Sequence, residues 1–345
     1  MQNGGLALSR RVTIAELVKS TGLSRATIDR ALNGRGGIHP RTQNVISEAL
    51  QQLSKAGPLV PRPEGPQVDA VLRTGRGLAM QIGFWCKELQ LPVAYADMHQ
   101  KNEDEMLEMV HARCKDVSRP LIVTAKNTER MNALLQGARQ RGKRIVTFVS
   151  DLPHDCRDAF VGIDNRSAGQ TAAYVIGSLL KDRKAATVGV VLGDYAFNNH
   201  EDREIGFRSH LRANFPNISL TDVAKGEDSP EQTYLAVREL LVKHPDVAAI
   251  YNVAGGNVGL ARALLEAGLN GKVCVITHEA NSVTIPLLRE DVVQFVIAQD
   301  PADLINLAVT IASESAPTAT KDQNLVDFGI YSRFNLPKFA LNSTA

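Results

Sequence analysis

The spacing of apolar residues divides the chain into two regions. Residues 11–56 contain three segments of helical period, as in the repeat of Val45, Ile46 and Ala49. From residue 67 onward, longer segments of helical period alternate with short apolar runs that are predicted to be strands. These runs are VDAVL, LPVAYA, PLIVTA, RIVTFV, AFVGI, ATVGVVL, VAAIY, KVCVIT and VVQFVIA. Continuous Val/Ile runs are typical of strands that are covered on both faces. The second region is therefore predicted to be a parallel, doubly wound α/β fold.

The predicted α/β region, residues 67–340, is larger than one lobe of this type, so we expect two lobes with a cleft between them. It follows a segment, residues 57–66, that reads GPLVPRPEGP and contains four prolines. Proline at this density disfavours a helix and favours an extended connector, so the segment is interpreted as a linker. The remaining part, residues 1–56, is predicted to be a separate helical head.

The head has the turn and the charge of a polyanion-binding unit. Its first two predicted helices are separated only by Ser20, Thr21, Gly22 and Leu23, the short glycine-containing turn of a helix-turn-helix. Residues 1–62 contain nine Lys/Arg and three Asp/Glu, whereas the rest of the chain contains 30 basic and 34 acidic residues. A small basic head on a mildly acidic body suggests a polyanionic partner for the head alone.

Double-stranded DNA is the polyanion that fits this geometry, because the leading residues of the second helix would meet base edges in the major groove. Arg25, Ala26 and Arg30 occupy those positions, and an arginine can bond the O6 and N7 atoms of guanine together. The short side chains near helix starts, which suit phosphate contacts, are Thr13, Ser24, Thr27, Asn33 and Thr42. A single arginine is more often part of a solvated surface, and Ser24 could be only a helix cap. The charge, the turn and the caps together favour DNA binding.

Cysteine spacing and hydropathy exclude several other classes. The four cysteines lie far apart with no Cys-x-x-Cys pair, which argues against a zinc site and against a disulfide framework. No apolar run approaches the roughly 18 residues that a membrane helix requires. The first residues, MQNGGLALSRR, lack the apolar core of a signal peptide. We therefore expect a cytoplasmic protein with no membrane partner, metal or cofactor.

Polar residues cluster after predicted strands, where ligands of doubly wound folds bind. Carboxylates, amides and arginine suit a polyhydroxylated ligand because each can bond two hydroxyl groups, and an aromatic ring can stack on a sugar face. The candidate effector-binding residues are Arg73, Arg76, Asp164, Asn165, Phe197, Arg203, Asn257, His278, Glu279 and Gln299. The two cations after the first strand, Arg73 and Arg76, further suggest an acidic or phosphorylated sugar.

Structural roles remain open for several of these candidates. Asp164 and Asn165 could simply cap the helix that follows them. His278 alone would more often be a structural histidine than a ligand contact. Arg203 could pair with Glu204 or Asp202 on its own helix, although surface pairs of this kind contribute little stability.

Two stretches of the head, VTIAELVKSTGLSRATIDRALNG and RTQNVISEALQQL, resemble the DNA-binding head of LacI-type bacterial transcription regulators. The resemblance extends to the body, whose pattern is similar to the two lobes of a periplasmic-binding-protein-like effector domain. It implies that residues such as Arg25 read bases and that the body binds a small effector, usually a sugar. It also implies ligand contacts by Arg203, which begins the segment REIGF, and by Asp164 and Asn165.

These observations predict a sequence-specific DNA-binding transcription regulator, with repression as the favoured mode, that binds double-stranded operator DNA as a homodimer. A small effector in the interlobe cleft (a sugar, polyol or sugar acid) would control operator affinity through its preference for one of two states. The alternative is a sugar-metabolising enzyme with a basic N-terminal appendage. The chain contains no phosphate loop, dinucleotide fingerprint or nucleophile elbow, so the non-enzyme interpretation is favoured.

Overall fold

The computed structural model describes residues 14–32, 39–55, 67–314 and 323–342. The chain divides into two compact units, Met1–Glu64 and Gly65–Ala345. The predictions that lie outside the described residues concern Thr13, Asn33, the linker 57–66 and the side chains of Arg25, Ala26 and Arg30.

The first unit is built from helices that share one small apolar core. Its described helices are α1 (Ile14–Thr21), α2 (Arg25–Leu32) and α3 (Pro40–Lys55). The core is formed by Leu17 of α1, Ile28 of α2, and Ile46 and Ala49 of α3, all of which are buried. Each helix of this unit therefore buries one apolar face, as the helical period of the sequence predicts.

Local sequence explains where α1 ends and α2 begins. Gly22 follows α1 with a φ of 68°, a left-handed conformation that glycine adopts without the steric cost of a Cβ. Its N–H donates to the carbonyl oxygen of Val18 at 2.9 Å, which closes the last turn. At the start of α2, the Ser24 hydroxyl oxygen accepts a hydrogen bond from Thr27 N at 3.2 Å.

The first lobe of the second unit is a parallel sheet with helices on both faces. Its strands are β1 (Val68–Leu72), β2 (Val93–Asp97), β3 (Leu121–Thr124), β4 (Ile145–Phe148), β5 (Ala159–Gly162) and β11 (Gln323–Leu325). Their order is β11-β5-β4-β3-β1-β2. The helices are α4 (Arg76–Glu88), α5 (Glu103–Arg113), α6 (Glu129–Gln140) and α12 (Pro301–Ser313), with a 3-10 turn at His154–Cys156. The four central strands are buried along their whole length, as the continuous apolar runs predict.

The second lobe repeats this architecture with one antiparallel edge strand, β12. Its strands are β6 (Ala186–Leu192), β7 (Ile218–Lys225), β8 (Val247–Asn252), β9 (Cys274–His278), β10 (Phe295–Gln299) and β12 (Phe328–Tyr331). Their order is β12-β10-β9-β8-β6-β7. The helices are α7 (Asn165–Leu180), α8 (Asn198–Asn214), α9 (Pro230–Lys243), α10 (Asn257–Glu266), α11 (Thr284–Arg289) and α13 (Lys338–Asn342).

The chain passes between the two sheets after β5, after β10 and between β11 and β12. Helix α12 thereby returns to the first lobe, where Leu304 and Ala308 pack in one core with Val68 and Val146. This two-lobed α/β fold of the body confirms the sequence prediction. Within the described ranges, no helix is both long enough and apolar enough to cross a membrane.

Helices α7 and α8 cross so closely that glycine is required at two points of contact. A Cβ at Gly169 would overlap the backbone oxygen of Arg203, and a Cβ at Gly206 would overlap that of Arg166. Only residues without a side chain allow the two helix backbones to approach this far. The crossing brings Asn165, the first residue of α7, beside Arg203 of α8.

Candidate functional site

A cleft of about 1060 Å³ lies between the two lobes of the second unit. Its walls are the segments that follow β1 to β4 in the first lobe and β6 to β9 in the second, where the carboxyl ends of parallel strands meet. The volume lies just above the range for small-molecule sites, about 300–1,000 Å³. The charged lining includes Arg73, Arg76, Lys126, Arg203, Asp228 and Glu279.

Arg203 on α8 is the most completely fixed charge in the cleft, with only 3% of the residue exposed. Its Nε donates to Asn165 Oδ1 at 2.8 Å, and its Nη1 donates to the carbonyl oxygen of Val253 at 2.9 Å. Its Nη2 lies 4.0 Å from Glu279 Oε1. Burial lowers the pKa of Arg203, and the nearby Glu279 carboxylate opposes that effect. Because an arginine ordinarily titrates far above neutral pH, the group stays charged.

Glu279 faces Arg203 from the loop after β9. Its backbone has a φ of 67°, a left-handed conformation that is uncommon for a residue with a side chain and is often found at functional sites. Gln299 Nε2 donates to both carboxylate oxygens of Glu279 at 3.2 Å. Burial raises the pKa of Glu279, whereas Arg203 and the Gln299 hydrogen bond lower it. The result is a carboxylate held in one orientation beside a fixed guanidinium.

His278 is the third polar residue at this point of the cleft. Its Nε2 lies 2.7 Å from the hydroxyl of Tyr251, and both residues are buried. Its Nδ1 is buried and has no partner among the described residues. Burial lowers the pKa of His278 well below its usual value, and the positive charge of Arg203 acts in the same direction. The imidazole is therefore neutral and offers one nitrogen that the described residues do not use.

The lowered pKa of His278 predicts a loss of stability at acid pH. In the unfolded chain a histidine binds a proton near pH 6.5, whereas the folded protein keeps His278 neutral to a lower pH. The unfolded state then binds more protons, so stability is full above pH 6.5 and falls as the pH decreases below it. Glu279, whose pKa is raised, acts in the opposite direction at lower pH.

Urea denaturation at pH 7.5 and pH 5.5 measures this effect. We expect His278→Gln to reduce the difference in unfolding free energy between the two pH values by about 1 kcal/mol, because one pKa unit corresponds to about 1.4 kcal/mol. An unchanged pH dependence in the variant would show that His278 does not titrate differently in the two states.

The two lobes touch beside the cleft. Lys126, which follows β3, places Nζ 2.5 Å from Asp194 Oδ2, which follows β6. At another point Gln81 Nε2 of α4 donates to the carbonyl oxygen of Ala280 at 2.9 Å. Phe197 lies below Lys126, whose Nζ is 6.0 Å from the ring centroid. These contacts connect the lobes at the cleft, and the aromatic rings of Tyr195 and Phe197 lie in its wall.

Most of the candidate effector residues lie in this cleft. Those in the lining are Arg73, Arg76, Phe197, Arg203, Asn257, His278 and Glu279. Asn165 and Gln299 lie behind the lining and hold Arg203 and Glu279 in place through hydrogen bonds. Asp164 caps α7, which is the structural alternative that the sequence left open.

The cleft is also lined by four residues that were not among the candidates from the sequence: Lys126, Ser150, Asp228 and Asn281. Lys126 and Ser150 follow the recognised strands β3 and β4, and that position was a signal that could have identified them. Asp228 follows β7, an edge strand that contains partly exposed and exposed positions. Because β7 has no continuous apolar run, the sequence did not predict the strand, and the position of Asp228 after a strand end was missed. Asn281 follows His278 and Glu279 after β9, and its distance from the strand end did not indicate that it would also reach the cleft.

Residues 119–316 of the chain match the family model described as a periplasmic binding protein domain. This match covers more than half of the sequence. A search of curated proteins found no match.

Solved structures of solute-binding proteins have the same fold. An ABC transporter solute-binding protein from Burkholderia graminis, in complex with D-arabinose, has a TM-score of 0.72 at 18% identity and aligns over 81% of this chain and 99% of that chain. GanP, a glucose-galactose binding protein from Geobacillus stearothermophilus, has a TM-score of 0.68 at 21% identity, over 78% of this chain and 99% of that chain. A solute-binding protein from Actinobacillus succinogenes with bound D-allose has a TM-score of 0.66 at 19% identity, over 78% and 98%.

These comparisons correct the functional interpretation drawn from the sequence. The matched family and the structural neighbours are solute-binding proteins, so the prediction of a DNA-binding transcription regulator with operator DNA as partner is wrong. The predicted cytoplasmic location is wrong as well, because the matched family is that of a periplasmic domain. The enzyme alternative has no support, because the family model describes a binding domain.

The physical reason for this correction is that a basic helix surface is also compatible with solvation alone. Ser24 caps α2, which was the structural alternative for that residue. The residues that lose their predicted DNA contacts are Thr13, Ser24, Arg25, Ala26, Thr27, Arg30, Asn33 and Thr42.

Proposed function

The chain belongs to the family of periplasmic binding protein domains, and on this premise we propose that its α/β unit binds a sugar or a similar polyhydroxylated solute in the interlobe cleft. The observation that carries the proposal is the position of Arg203. Its buried guanidinium lines the cleft, and its Nη2 lies 4.0 Å from the carboxylate of Glu279. A fixed donor beside a fixed acceptor suits two neighbouring hydroxyl groups, each of which can both donate and accept.

Asn257 and Phe197 extend this recognition surface. Asn257 Oδ1 accepts from Asn252 Nδ2 at 2.9 Å and from the Thr277 hydroxyl at 2.7 Å, which fixes the orientation of the amide. Its Nδ2 makes no hydrogen bond to the described part of the chain, so it is a donor available to a ligand in the cleft. Phe197 supplies an apolar face on which the C–H side of a sugar ring can pack.

The ligands of the structural neighbours support the choice of sugars. Two of these structures contain bound D-arabinose and D-allose, and GanP is a glucose-galactose binding protein. The sugars concerned are an aldopentose and aldohexoses. The functional groups of such ligands are hydroxyls on a compact ring. Those groups match the paired donor and acceptor at Arg203 and Glu279.

Thermal unfolding of the full chain in the presence of single sugars tests the proposal. The first panel is D-glucose, D-galactose, D-arabinose and D-allose, each with its phosphorylated and its acidic derivatives. A ligand that binds only the folded state stabilises it by about 2.7 kcal/mol at 100 times its Kd, so we expect at least one member to raise Tm by several degrees. Isothermal titration calorimetry then measures the affinity. If no member of the panel shifts Tm at millimolar concentration, sugar binding is rejected.

We also propose that residues 1–56 form a helix-turn-helix head, residues 57–66 a linker and residues 67–340 the ligand-binding domain. The short connection between α1 and α2, the core that α1, α2 and α3 share and the division of the chain after Glu64 support this organisation. The resemblance to LacI-type heads supports the same fold for the first unit. Digestion with glutamyl endopeptidase should leave a resistant fragment that begins at Gly65, and its absence would contradict the boundary.

A further inference from the structure

Helix α4 begins at the cleft and has no side chain at its N-cap. The N-cap residue is Gly75, with φ −61° and ψ 149°, and the first turn contains no acidic residue. Gly75 and the first residues of the helix, Arg76 to Leu78, line the cleft. The first N–H groups of a helix have no acceptor within the helix, and the helix dipole adds partial positive charge there. This end of α4 therefore presents backbone donors to the cleft.

Two arginine side chains flank these backbone donors. Arg76 is exposed and forms no ion pair with the residues that the structure describes. Arg73 donates through Nη1 to Glu103 Oε2 at 3.1 Å, and Glu103 also accepts from the Thr128 hydroxyl at 3.2 Å. Glu103 thus holds Arg73 through one guanidinium nitrogen, and Arg73 itself lines the cleft. An arginine that is positioned in this way is suited to bidentate contact with an oxyanion.

Asn281 from the second lobe supplies independent evidence for a ligand at this place. The residue is only 6% exposed, and its Oδ1 accepts from Val283 N at 2.9 Å and from Thr284 N at 3.3 Å. These bonds fix the amide orientation, and its Nδ2 has no acceptor in the described chain. Asn281 packs directly on the first turn of α4, since a Cβ at Gly77 would overlap its Nδ2. The side chain is more than nine-tenths buried and lines the cleft, so the donor that it leaves without an acceptor calls for a ligand atom that accepts.

The Thr74 hydroxyl lies in the same place. Its oxygen is buried and has no partner among the described residues. Backbone N–H groups, two guanidinium groups, one amide and one hydroxyl can all donate here. The carboxylate bonded to Arg73, Glu103, already accepts two hydrogen bonds. A neutral sugar hydroxyl would use a small part of this donor set, whereas a phosphate or carboxylate would accept from several members at once.

We propose that the N-terminus of α4, with Arg73, Thr74, Arg76 and Asn281, is an anion subsite of the cleft. The ligand is then a sugar that carries an acidic group, either a phosphate or a carboxylate. This inference rests on the proposed sugar binding. It deepens that proposal by dividing the cleft into a hydroxyl-binding part at Arg203 and an acid-binding part at α4.

Calorimetric titration of the full chain with matched sugars tests the inference. Each neutral sugar (D-glucose, D-galactose and D-arabinose) is compared with its terminal phosphate and with its sugar acid. We expect one acidic form to bind at least about tenfold tighter than its neutral parent, because each charge-assisted hydrogen bond contributes more than a neutral one. The phosphate and the sugar-acid titrations distinguish the two possible acidic groups.

Arg76→Gln removes one cation of the subsite without removing a contact in the described structure. It should reduce the affinity for the acidic sugar about tenfold or more and reduce the affinity for the neutral parent much less, so that the preference for the acidic form falls. Arg73→Gln should act in the same direction. Arg130→Gln is the matched control, since Arg130 lies in the same lobe, has 69% of its side chain exposed and does not line the cleft.

The outcomes separate the two proposals. A neutral sugar that binds as tightly as its acidic forms, or an acidic sugar whose affinity is the same in Arg76→Gln, would overturn the anion subsite and leave sugar binding intact. Binding of no sugar, neutral or acidic, would overturn sugar binding and the subsite together.

Discussion

Arg203→Met is expected to reduce sugar affinity about 100-fold or more, because hydrogen bonds to a charged group contribute about 1.5–3 kcal/mol each and about 1.4 kcal/mol corresponds to tenfold. The methionine side chain is similar in length to the aliphatic part of the arginine side chain, but it lacks the guanidinium, whose Nη2 lies 4.0 Å from Glu279 Oε1. The carboxylate of Glu279 would then remain buried without its cation, which further disfavours the charged form that accepts a sugar hydroxyl. Titration calorimetry with a sugar identified by thermal shift gives the affinity directly.

Arg208→Met is the matched control on the same helix. Arg208 pairs with Glu204, and its Nη2 donates to the carbonyl oxygen of Thr221 at 3.3 Å, outside the cleft lining. We expect this variant to bind sugar with an affinity within about twofold of the unmodified protein, since neither Arg208 nor Glu204 lines the cleft. Equal affinity in Arg203→Met and Arg208→Met, with both variants folded by circular dichroism, would remove Arg203 from the binding site.

Gly169→Ala is expected to have the largest effect on stability, a loss of about 2–4 kcal/mol. The added Cβ would overlap the backbone oxygen of Arg203, and a helix backbone cannot yield as a flexible side chain can. Helices α7 and α8 would have to separate, and the apolar contacts between them, such as those around Phe207, would loosen. Urea denaturation monitored by circular dichroism measures the change.

Gly137→Ala is the control for Gly169→Ala, because the same substitution is expected to stabilise the protein at this position. Gly137 lies within α6, and a Cβ there would meet only the end of the Arg141 side chain at 3.5 Å, an ordinary contact. Alanine should stabilise this helix by about 0.5–1 kcal/mol, because it restricts the unfolded backbone and favours helix. A similar destabilisation in both variants would show that the close approach of α7 and α8 is not the cause.

The close crossing also determines the geometry of the binding site. Asn165 begins α7 and Arg203 lies on α8, and their 2.8 Å hydrogen bond exists only because the two helices approach at Gly169 and Gly206. If Gly169→Ala remains folded at low temperature, its sugar affinity should fall together with its stability. The positioning of Arg203 thus depends on residues that never contact a ligand.

The central strands of both sheets could be predicted because they are buried on both faces, and their sequences are therefore continuous apolar runs. The edge strands β7, β11 and β12 were not predicted, although β2, at the other edge of the first sheet, was. The sequences of β7 and β11, ISLTDVAK and QNL, mix polar and apolar residues, and all three strands have partly exposed positions. An edge strand has a neighbour on one side only, so its sequence carries a weaker signal. For β11 the pairing partner is also distant in the chain, since Gln323 pairs with Phe160 of β5.

The function was less accessible to sequence reasoning than the fold. A basic helical head with a short turn predicted DNA contacts by Arg25 and Arg30, and the comparisons contradict that role. Net charge is a property that many surfaces share, so it does not identify a partner by itself. The polar residues after strands were a better signal, because the positions of strand ends follow from the fold.

The sequence by itself determined the three N-terminal helices, the buried central strands, the two-lobed plan and the loops in which cleft residues such as Arg73 and His278 lie. Those features depend on local spacing and on burial, which hydrophobic pattern encodes directly. Only the tertiary structure decided that Asp164 caps a helix, that Asn165 supports Arg203, and that Asn281 lies against α4 from the opposite lobe. The physical reason is that these roles are set by contacts between residues far apart in the chain, and such distances are fixed by packing and not by spacing.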